Sequence, residues 1–215
     1  MKSVAGFFIA SLVALSTAQA SILKLEKGSR AIEGVNISKS AEASLDGQTL
    51  HLETVGGGLR WKKVLFAKVK VYVAQLLVSS PDRFVKKDKD ALKSLDDSDT
   101  VALQMTFLRT VDAATVQSSF RDALLANKVD LNNDSIKNFL NAVKSGGDAN
   151  SGSSLTILIE KHKDGSESLV YEDSLNKQTK VTSDKGLTQK ILSIWLGVPA
   201  DDGLASLKSD LLANN

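Results

Sequence analysis

Arg60 is the residue whose type and position most invite a binding role. It follows three consecutive glycines, Gly56-Gly57-Gly58, and precedes Trp61 and a long β pattern. A guanidinium at the rim of a sheet offers planar N–H donors that match a carboxylate or a polarised oxygen. The alternative is a solvated arginine paired with a surface carboxylate, and residue type by itself favours that alternative.

Tyr72 raises a similar question on the following strand. A phenol can orient a ligand oxygen, but on a strand it is more often a packed ring with a hydrated hydroxyl. Trp195 shares a helical apolar pattern with Ile191 and Leu192, so we expect it in the core. The lysines at 62, 63, 68 and 70 are expected to include solvated positions of the sheet.

Other catalytic chemistries have little support. His51 lies in a predicted strand and His162 beside a predicted turn, so nothing brings these two histidines together. No compact spacing of carboxylates indicates a metal site, and no Gly-x-Ser-x-Gly elbow supports a serine triad. The glycine run lacks the lysine and hydroxyl residue of a P-loop. The chain has no cysteine, so thiol catalysis is excluded. Because these motifs are missing, we expect neither a metal nor a cofactor.

The charge balance and the N-terminus bound the class of protein. Lys and Arg number 27 against 25 for Asp and Glu, which does not suggest a nucleic-acid partner. Residues 1–20 resemble a cleaved signal peptide, with Lys2, an apolar run from Val4 to Leu15, and a small-x-small site ending at Ala20. That run is short for a membrane span, which needs about 20 residues. We expect cleavage after Ala20, export to a periplasm, no transmembrane anchor, and one domain from Ser21.

The β patterns come first along the chain and return later. They predict strands at Leu50 to Val55, Val64 to Val78 and Val101 to Leu108, followed by a hairpin of 154–160 and 168–172. The glycine run is expected to end the first strand, since three glycines hold a strand poorly and let the backbone take positive φ or approach another group closely. The segment 64–78 is long for one strand, so a bulge or hairpin bend is expected to divide it.

Helical patterns occupy the remaining stretches. Asp112 can cap a helix through about Lys128, and further helices are predicted over 134–144, from 183 or 184 to 196, and from 201 to 212. Strands, inserted helices, strands and final helices together favour an α+β fold with helices against a mainly antiparallel sheet.

Two stretches of this sequence resemble the chalcone isomerase family. The first is Gly56-Gly57-Gly58-Leu59-Arg60 together with Leu65-Phe66-Ala67-Lys68-Val69-Lys70-Val71-Tyr72-Val73. The second is Ile191-Leu192-Ser193-Ile194-Trp195-Leu196-Gly197, continuing through Asp201-Asp202-Gly203-Leu204. The second is particularly similar to bacterial chalcone isomerase-like proteins, which commonly carry a signal peptide. The resemblance extends over nearly all of residues 21–215.

The resemblance implies an open-faced β-sandwich, a large antiparallel sheet with a layer of helices. The family includes enzymes that close chalcones to flavanones and relatives that bind fatty acids. In both branches an arginine after the glycine turn faces the cleft, and Arg60 resembles it. Tyr72 is taken as a second ligand-binding candidate, and Thr188 or Gln189 falls near a further substrate-contacting position.

The catalytic pattern of the enzymes is not matched. Their threonine after the matching phenylalanine is replaced by Ala67, and their tyrosine corresponds to Lys128 or Val129. No catalytic residue is therefore assigned, and enzymatic activity stays uncertain. The leading hypothesis is a periplasmic, non-catalytic protein that binds a small apolar ligand, such as a fatty acid or an aromatic acid, through Arg60.

Two alternatives remain open. The first is an isomerase, an intramolecular lyase, that acts on a chalcone-like enone, with Arg60 stabilising anionic groups. The second is a scaffold for another envelope protein, which predicts an exposed apolar patch and no cavity beside Arg60. The oligomeric state is not predicted.

Overall fold

Ten strands and five helices follow one another in the part of the chain that this computed structural model describes, residues 20–45, 47–183 and 185–213. The strands are β1 (Leu23–Glu26), β2 (Arg30–Ile32), β3 (Val35–Ile37), β4 (Ser40–Leu45), β5 (Gln48–Val64), β6 (Ala67–Val78), β7 (Thr100–Phe107), β8 (Ser154–Lys161), β9 (Glu167–Glu172) and β10 (Gln178–Ser183). The helices are α1 (Ala91–Ser94), α2 (Ala113–Ala126), α3 (Asp134–Ser145), α4 (Leu187–Leu196) and α5 (Asp202–Leu212).

Eight of these strands form one antiparallel sheet in the order β1-β4-β5-β6-β7-β8-β9-β10, and β2 pairs with β3 separately. Helices α2 to α5 pack on one face and share its main apolar core. The opposite face carries a smaller apolar cluster that includes Ile22, Leu52 and Leu158. The predicted α+β architecture, a large antiparallel sheet with a helical layer, is confirmed.

The glycine run lies inside β5 and has no positive φ, so the expectation that it ends the first strand was wrong, whereas the expected close approach to another group is confirmed. Helix α5 packs directly on this strand. A Cβ at Gly56 would collide with the backbone of Leu211, and one at Gly58 would lie 2.9 Å from Leu207. The absent side chains therefore let the helix approach the strand closely, which is a packing role for glycine rather than a turn.

The long β segment 64–78 is divided in two ways. A two-residue turn, Leu65-Phe66, separates β5 from β6, with Val64 facing Ala67. The ladder then shifts register, since Trp61 pairs with Lys70 and Arg60 pairs with Tyr72. The predicted hairpin bend and bulge are both present. The bulge matters because an extra residue re-aims side chains, and here Val71 and Tyr72 both face the helical side.

The predicted signal peptide, residues 1–20, lies outside the described residues except for Ala20. None of the helices in the described ranges is long and apolar enough to cross a membrane. The first contacts come from Ser21 and Ile22. The Ser21 hydroxyl donates to Glu172 at 2.9 Å, and the Ile22 N–H donates to the same carboxylate at 2.6 Å.

We expect Gly56→Ala to lower the free energy of unfolding by about 1–3 kcal/mol, because the new methyl group would meet helix backbone that cannot rotate away. Gly57→Ala is the matched control. The nearest atoms that a Cβ there would meet are all side-chain atoms of Ile37, the closest of them at 3.0 Å, and none is backbone. Chemical denaturation compares the two variants, and equal losses would contradict a close approach between α5 and β5.

Candidate functional site

A cleft of about 500 Å³ opens between the sheet and its helices, where β5 and β7 end and β6 begins, near α2, α4 and α5. Its wall is mainly apolar. The strand side is formed by Arg60, Lys62, Val64, Val69, Val71, Tyr72 and Phe107. The helix side and the rim are formed by Arg109, Thr110, Val111, Asp112, Thr115, Val116, Ser119, Phe120, Asp122, Ile194, Ala200, Asp201 and Leu204. A volume of this size lies within the range that holds small organic ligands.

Arg60 lies at the inner part of this wall, with its side chain 7% exposed. Its Nη2 forms an ion pair with Asp201 Oδ2 at 2.7 Å, and its Nη1 donates to the Trp61 carbonyl. These bonds use two of the five N–H donors of a guanidinium. Arg60 is therefore not a solvated arginine, because its side chain is buried, paired with Asp201 and part of the cleft lining.

Tyr72 lies opposite Arg60 in the strand ladder and also lines the cleft. Its hydroxyl accepts a hydrogen bond from Trp195 Nε1 at 2.9 Å and interacts with the Arg60 guanidinium. Burial raises the pKa of the Tyr72 phenol, and the nearby positive charge of Arg60 only partly opposes this. The phenol therefore stays protonated near neutral pH, and its O–H is suited to donate to a ligand oxygen.

Asp201 links the site to helix α5. It is the N-cap of α5, since its Oδ1 accepts from the Leu204 N–H at 2.9 Å while its Oδ2 binds Arg60. Partial burial alone would raise the pKa of Asp201, but the Leu204 N–H and the Arg60 guanidinium together hold it below its usual value. One carboxylate thus begins the helix and balances the buried cation.

The close packing around this pair depends on Gly203. A Cβ at that position would collide with the Trp61 carbonyl oxygen and with the Arg60 guanidinium. The two sequence stretches that carry the family resemblance, around 56–60 and 201–204, therefore meet in space at the cleft. Although these two stretches are far apart along the chain, they form one structural unit.

Thr188, the third predicted ligand-binding residue, lies outside the cleft lining. It is fully buried, and both its N–H and its hydroxyl donate to Glu167, at 2.6 and 2.8 Å. Its neighbour Gln189 donates to the Leu92 carbonyl and to Asp96, at 2.8 and 2.9 Å. Thr188 thus has a structural partner at the start of α4, and we do not include it in the site.

The positions that the family resemblance matches to catalytic residues of the enzymes are also outside the cleft lining. Ala67 is exposed beside the β5–β6 turn, and neither Lys128 nor Val129 belongs to the lining. Tyr171, the other tyrosine of the chain, is buried against Phe139. Among the described residues, Tyr72 is therefore the tyrosine that the cleft contains.

Formal charges around the cleft balance. Arg60, Lys62 and Arg109 face Asp112, Asp122 and Asp201. A bound molecule would gain little from net charge here. It would be held by apolar contact along the wall and by hydrogen bonds at the Arg60–Tyr72 end.

Sequence patterns predicted Arg60 and Tyr72 as ligand-binding residues, and both line the cleft, but the patterns missed the partners of these two side chains. Asp201 was recognised as a helix start, which it is, yet nothing in the sequence linked it to Arg60. Trp195 was assigned to the core, which is correct, but its indole N–H also holds the Tyr72 hydroxyl. Phe107 contacts the Tyr72 ring with centroids 5.2 Å apart, and only the strand order brings these rings together.

Comparisons with known proteins agree with the fold described above. A family model described as chalcone isomerase-like matches residues 29–213. A crystal structure of a fatty-acid binding protein from Arabidopsis thaliana superposes with a TM-score of 0.52 and 15% sequence identity, covering 80% of this chain and 95% of that chain. No curated protein matches the sequence. At this identity, the structural likeness establishes the fold.

We expect Asp201→Asn to lower the free energy of unfolding by about 1–2 kcal/mol near neutral pH, because asparagine keeps the helix cap but leaves Arg60 without its counter-charge. The folded pKa of Asp201 is depressed, so its stabilisation is fully present above its usual pKa. That stabilisation is lost as pH falls below about 4.

The difference in stability between Asp201→Asn and the parent should therefore shrink in acid, as measured by denaturation at several pH values. Asp202→Asn is the matched control, since Asp202 is exposed and has no ion pair within the described residues. A difference that is constant with pH would contradict the role of the Arg60–Asp201 pair.

Proposed function

The chain belongs to the chalcone isomerase-like family, and we propose that it is a non-catalytic binding protein for a small apolar ligand with one oxygen-bearing end, such as a fatty acid or an aromatic acid. The observation that carries the proposal is the buried Arg60 guanidinium beside the Tyr72 hydroxyl, both lining an apolar cleft. The fatty-acid binding protein with the same fold supports the choice of ligand class.

Two regions of the cleft would contact different parts of the ligand. The inner end of the cleft presents N–H donors of Arg60 and the O–H of Tyr72, which suit one or two oxygens of a carboxyl, carbonyl or hydroxyl group. The remainder presents valine, phenylalanine, isoleucine and leucine side chains to an apolar body. Because Asp201 already balances Arg60, hydrogen bonding to the ligand's oxygens contributes more than net charge does.

Catalysis is not part of the proposal. Isomerase chemistry was expected to use a tyrosine and a threonine whose positions here hold Lys128 or Val129 and Ala67, all outside the cleft lining. The same arginine can orient an anionic group without transforming it. The absorbance of naringenin chalcone mixed with the protein should therefore decay at the uncatalysed rate, and acceleration that Arg60→Met removes would favour the isomerase alternative instead.

Arg60→Met tests the binding proposal most directly, since methionine keeps the apolar stem and removes every donor. We expect the affinity for a long-chain fatty acid, measured by titration calorimetry, to fall about tenfold or more. Tyr72→Phe should cause a smaller loss, about fivefold, because one neutral hydrogen bond is removed. Arg121→Met is the control, because Arg121 is exposed on α2 and is not part of the cleft lining.

A separate variant tests the apolar part of the cleft. Ser119→Trp would place a large ring inside the cleft and should abolish fatty-acid binding while the Arg60 end is intact. Unchanged affinity in both Arg60→Met and Ser119→Trp would refute the proposed site. Co-purification of a fatty or aromatic acid with the parent, identified by mass spectrometry and absent from these variants, would support it.

We further propose that the protein acts in a periplasm after export. The signal-like pattern of residues 1–20 supports this, and the contacts of Ser21 and Ile22 with Glu172 support a domain that begins at the expected cleavage site. Intact-mass and N-terminal analysis of protein from a periplasmic extract should give a chain that begins at Ser21. Recovery of the uncleaved chain from the cytoplasm would contradict export.

A further inference from the structure

The tip of the β5–β6 hairpin carries large apolar side chains that nothing in the described chain covers. Phe66 is 99% exposed, Leu65 is 86% exposed and Val64 is 52% exposed. Single apolar residues on a surface are ordinary, but three in succession at the outermost point of a hairpin form a projecting apolar unit. We define residues 64–67 as the tip.

The tip is held on a paired hairpin. Val64 faces Ala67, Lys63 faces Lys68 and Lys62 faces Val69 in the ladder. The first residue of the two-residue turn, Leu65, has φ 54°, a conformation for which such turns normally use glycine, asparagine or aspartate. Leucine and phenylalanine at this turn are thus not explained by turn chemistry, nor do they pack within the described chain.

Four lysines surround the tip, and no acidic residue occurs between Trp61 and Lys70. Lys70 is paired with Glu33 at 2.7 Å, and Lys68 lies over the Trp61 ring with its Nζ 4.3 Å from the centroid. Lys62, Lys63 and Lys68 form no ion pair within the described residues. An apolar point ringed by four lysines, three of which form no ion pair in the described part of the chain, is complementary to a bilayer, with an apolar interior beneath anionic headgroups.

We propose that this hairpin docks the protein on membranes that contain anionic phospholipid, with Leu65 and Phe66 inserted and the lysines at the headgroups. Lysine stems can lie along the apolar boundary while their ammonium groups reach phosphate. A protein partner would also cover apolar residues. The lysine ring, however, matches a laterally uniform anionic surface, and it requires no specific arrangement of acids on the partner.

Docking would place the cleft beside the bilayer. Lys62, Val64 and Val69 belong both to this hairpin and to the cleft wall. An apolar ligand could then pass along the hairpin between the lipid and the Arg60 end without crossing water. This exchange depends on the proposed function, whereas the docking itself does not.

Vesicle co-sedimentation tests the docking with the purified protein. We expect binding to phosphatidylcholine vesicles that contain about one-third phosphatidylglycerol, and weak binding to phosphatidylcholine alone or at high salt. Phe66→Ser should reduce partitioning about tenfold or more. Lys63→Glu, which changes a residue outside the cleft lining, should reduce it by a similar factor.

Matched controls occur at the turns between β8 and β9 and between β9 and β10. Leu175→Ser removes a side chain that is 73% exposed, and Lys163→Glu reverses an exposed lysine, so neither should change partitioning. In a Phe66→Trp variant, the added fluorescence should shift to the blue on anionic vesicles and be quenched by brominated lipid. Because the tip is exposed, these variants should unfold like the parent.

Several results would overturn the proposal. These are absent vesicle binding, binding that Phe66→Ser leaves unchanged, or tip-dependent self-association in sedimentation velocity without vesicles. Fatty-acid affinity in solution should be unchanged in Phe66→Ser. Vesicle binding without fatty-acid binding would therefore refute only the proposed function, and fatty-acid binding without vesicle binding would refute only the docking.

Discussion

The ion pair between Arg60 and Asp201 is the interaction on which the site depends. A guanidinium that is 7% exposed requires a counter-charge, and the carboxylate that supplies it is also the N-cap of α5. That helix can reach the arginine only because Gly56, Gly58 and Gly203 leave its path clear. Helix packing, charge balance and the shape of the cleft are thus set by the same few residues.

The bulge in the β5–β6 ladder gives the cleft its second polar group. Strict alternation would send Val71 and Tyr72 to opposite faces of the sheet. The register shift beside Arg60 instead lets both line the cleft, so a phenol and a guanidinium face the same space. Trp195 then holds the phenol oxygen from the helical side, which leaves the phenol O–H suited to a ligand.

The hairpin that carries the site also extends beyond the sheet. Near Arg60 it is covered by helices, and towards its tip its side chains become exposed, ending in Leu65 and Phe66. Side-chain exposure therefore increases along one wall of the cleft, from the buried Arg60 to the exposed apolar tip. A binding site and a docking surface on the same two strands would let an apolar ligand move directly between the membrane and the cleft.

The sequence by itself determined the class of fold, most of the helices, the capping role of Asp112 and the start of the last helix near Asp201, and it predicted Arg60 as a ligand-binding residue. These follow from local periodicity, from capping chemistry and from a motif resemblance, each of which is contained in a short window. It predicted that the glycine run would end the first strand, which was wrong, and it predicted Thr188 as a ligand contact, which stays a prediction, although in the structure the Thr188 hydroxyl donates to Glu167. Only the tertiary structure decided that Asp201 balances Arg60 and that Trp195 holds Tyr72. Both contacts join residues more than a hundred positions apart, and no local pattern encodes which distant partner a buried polar group will meet.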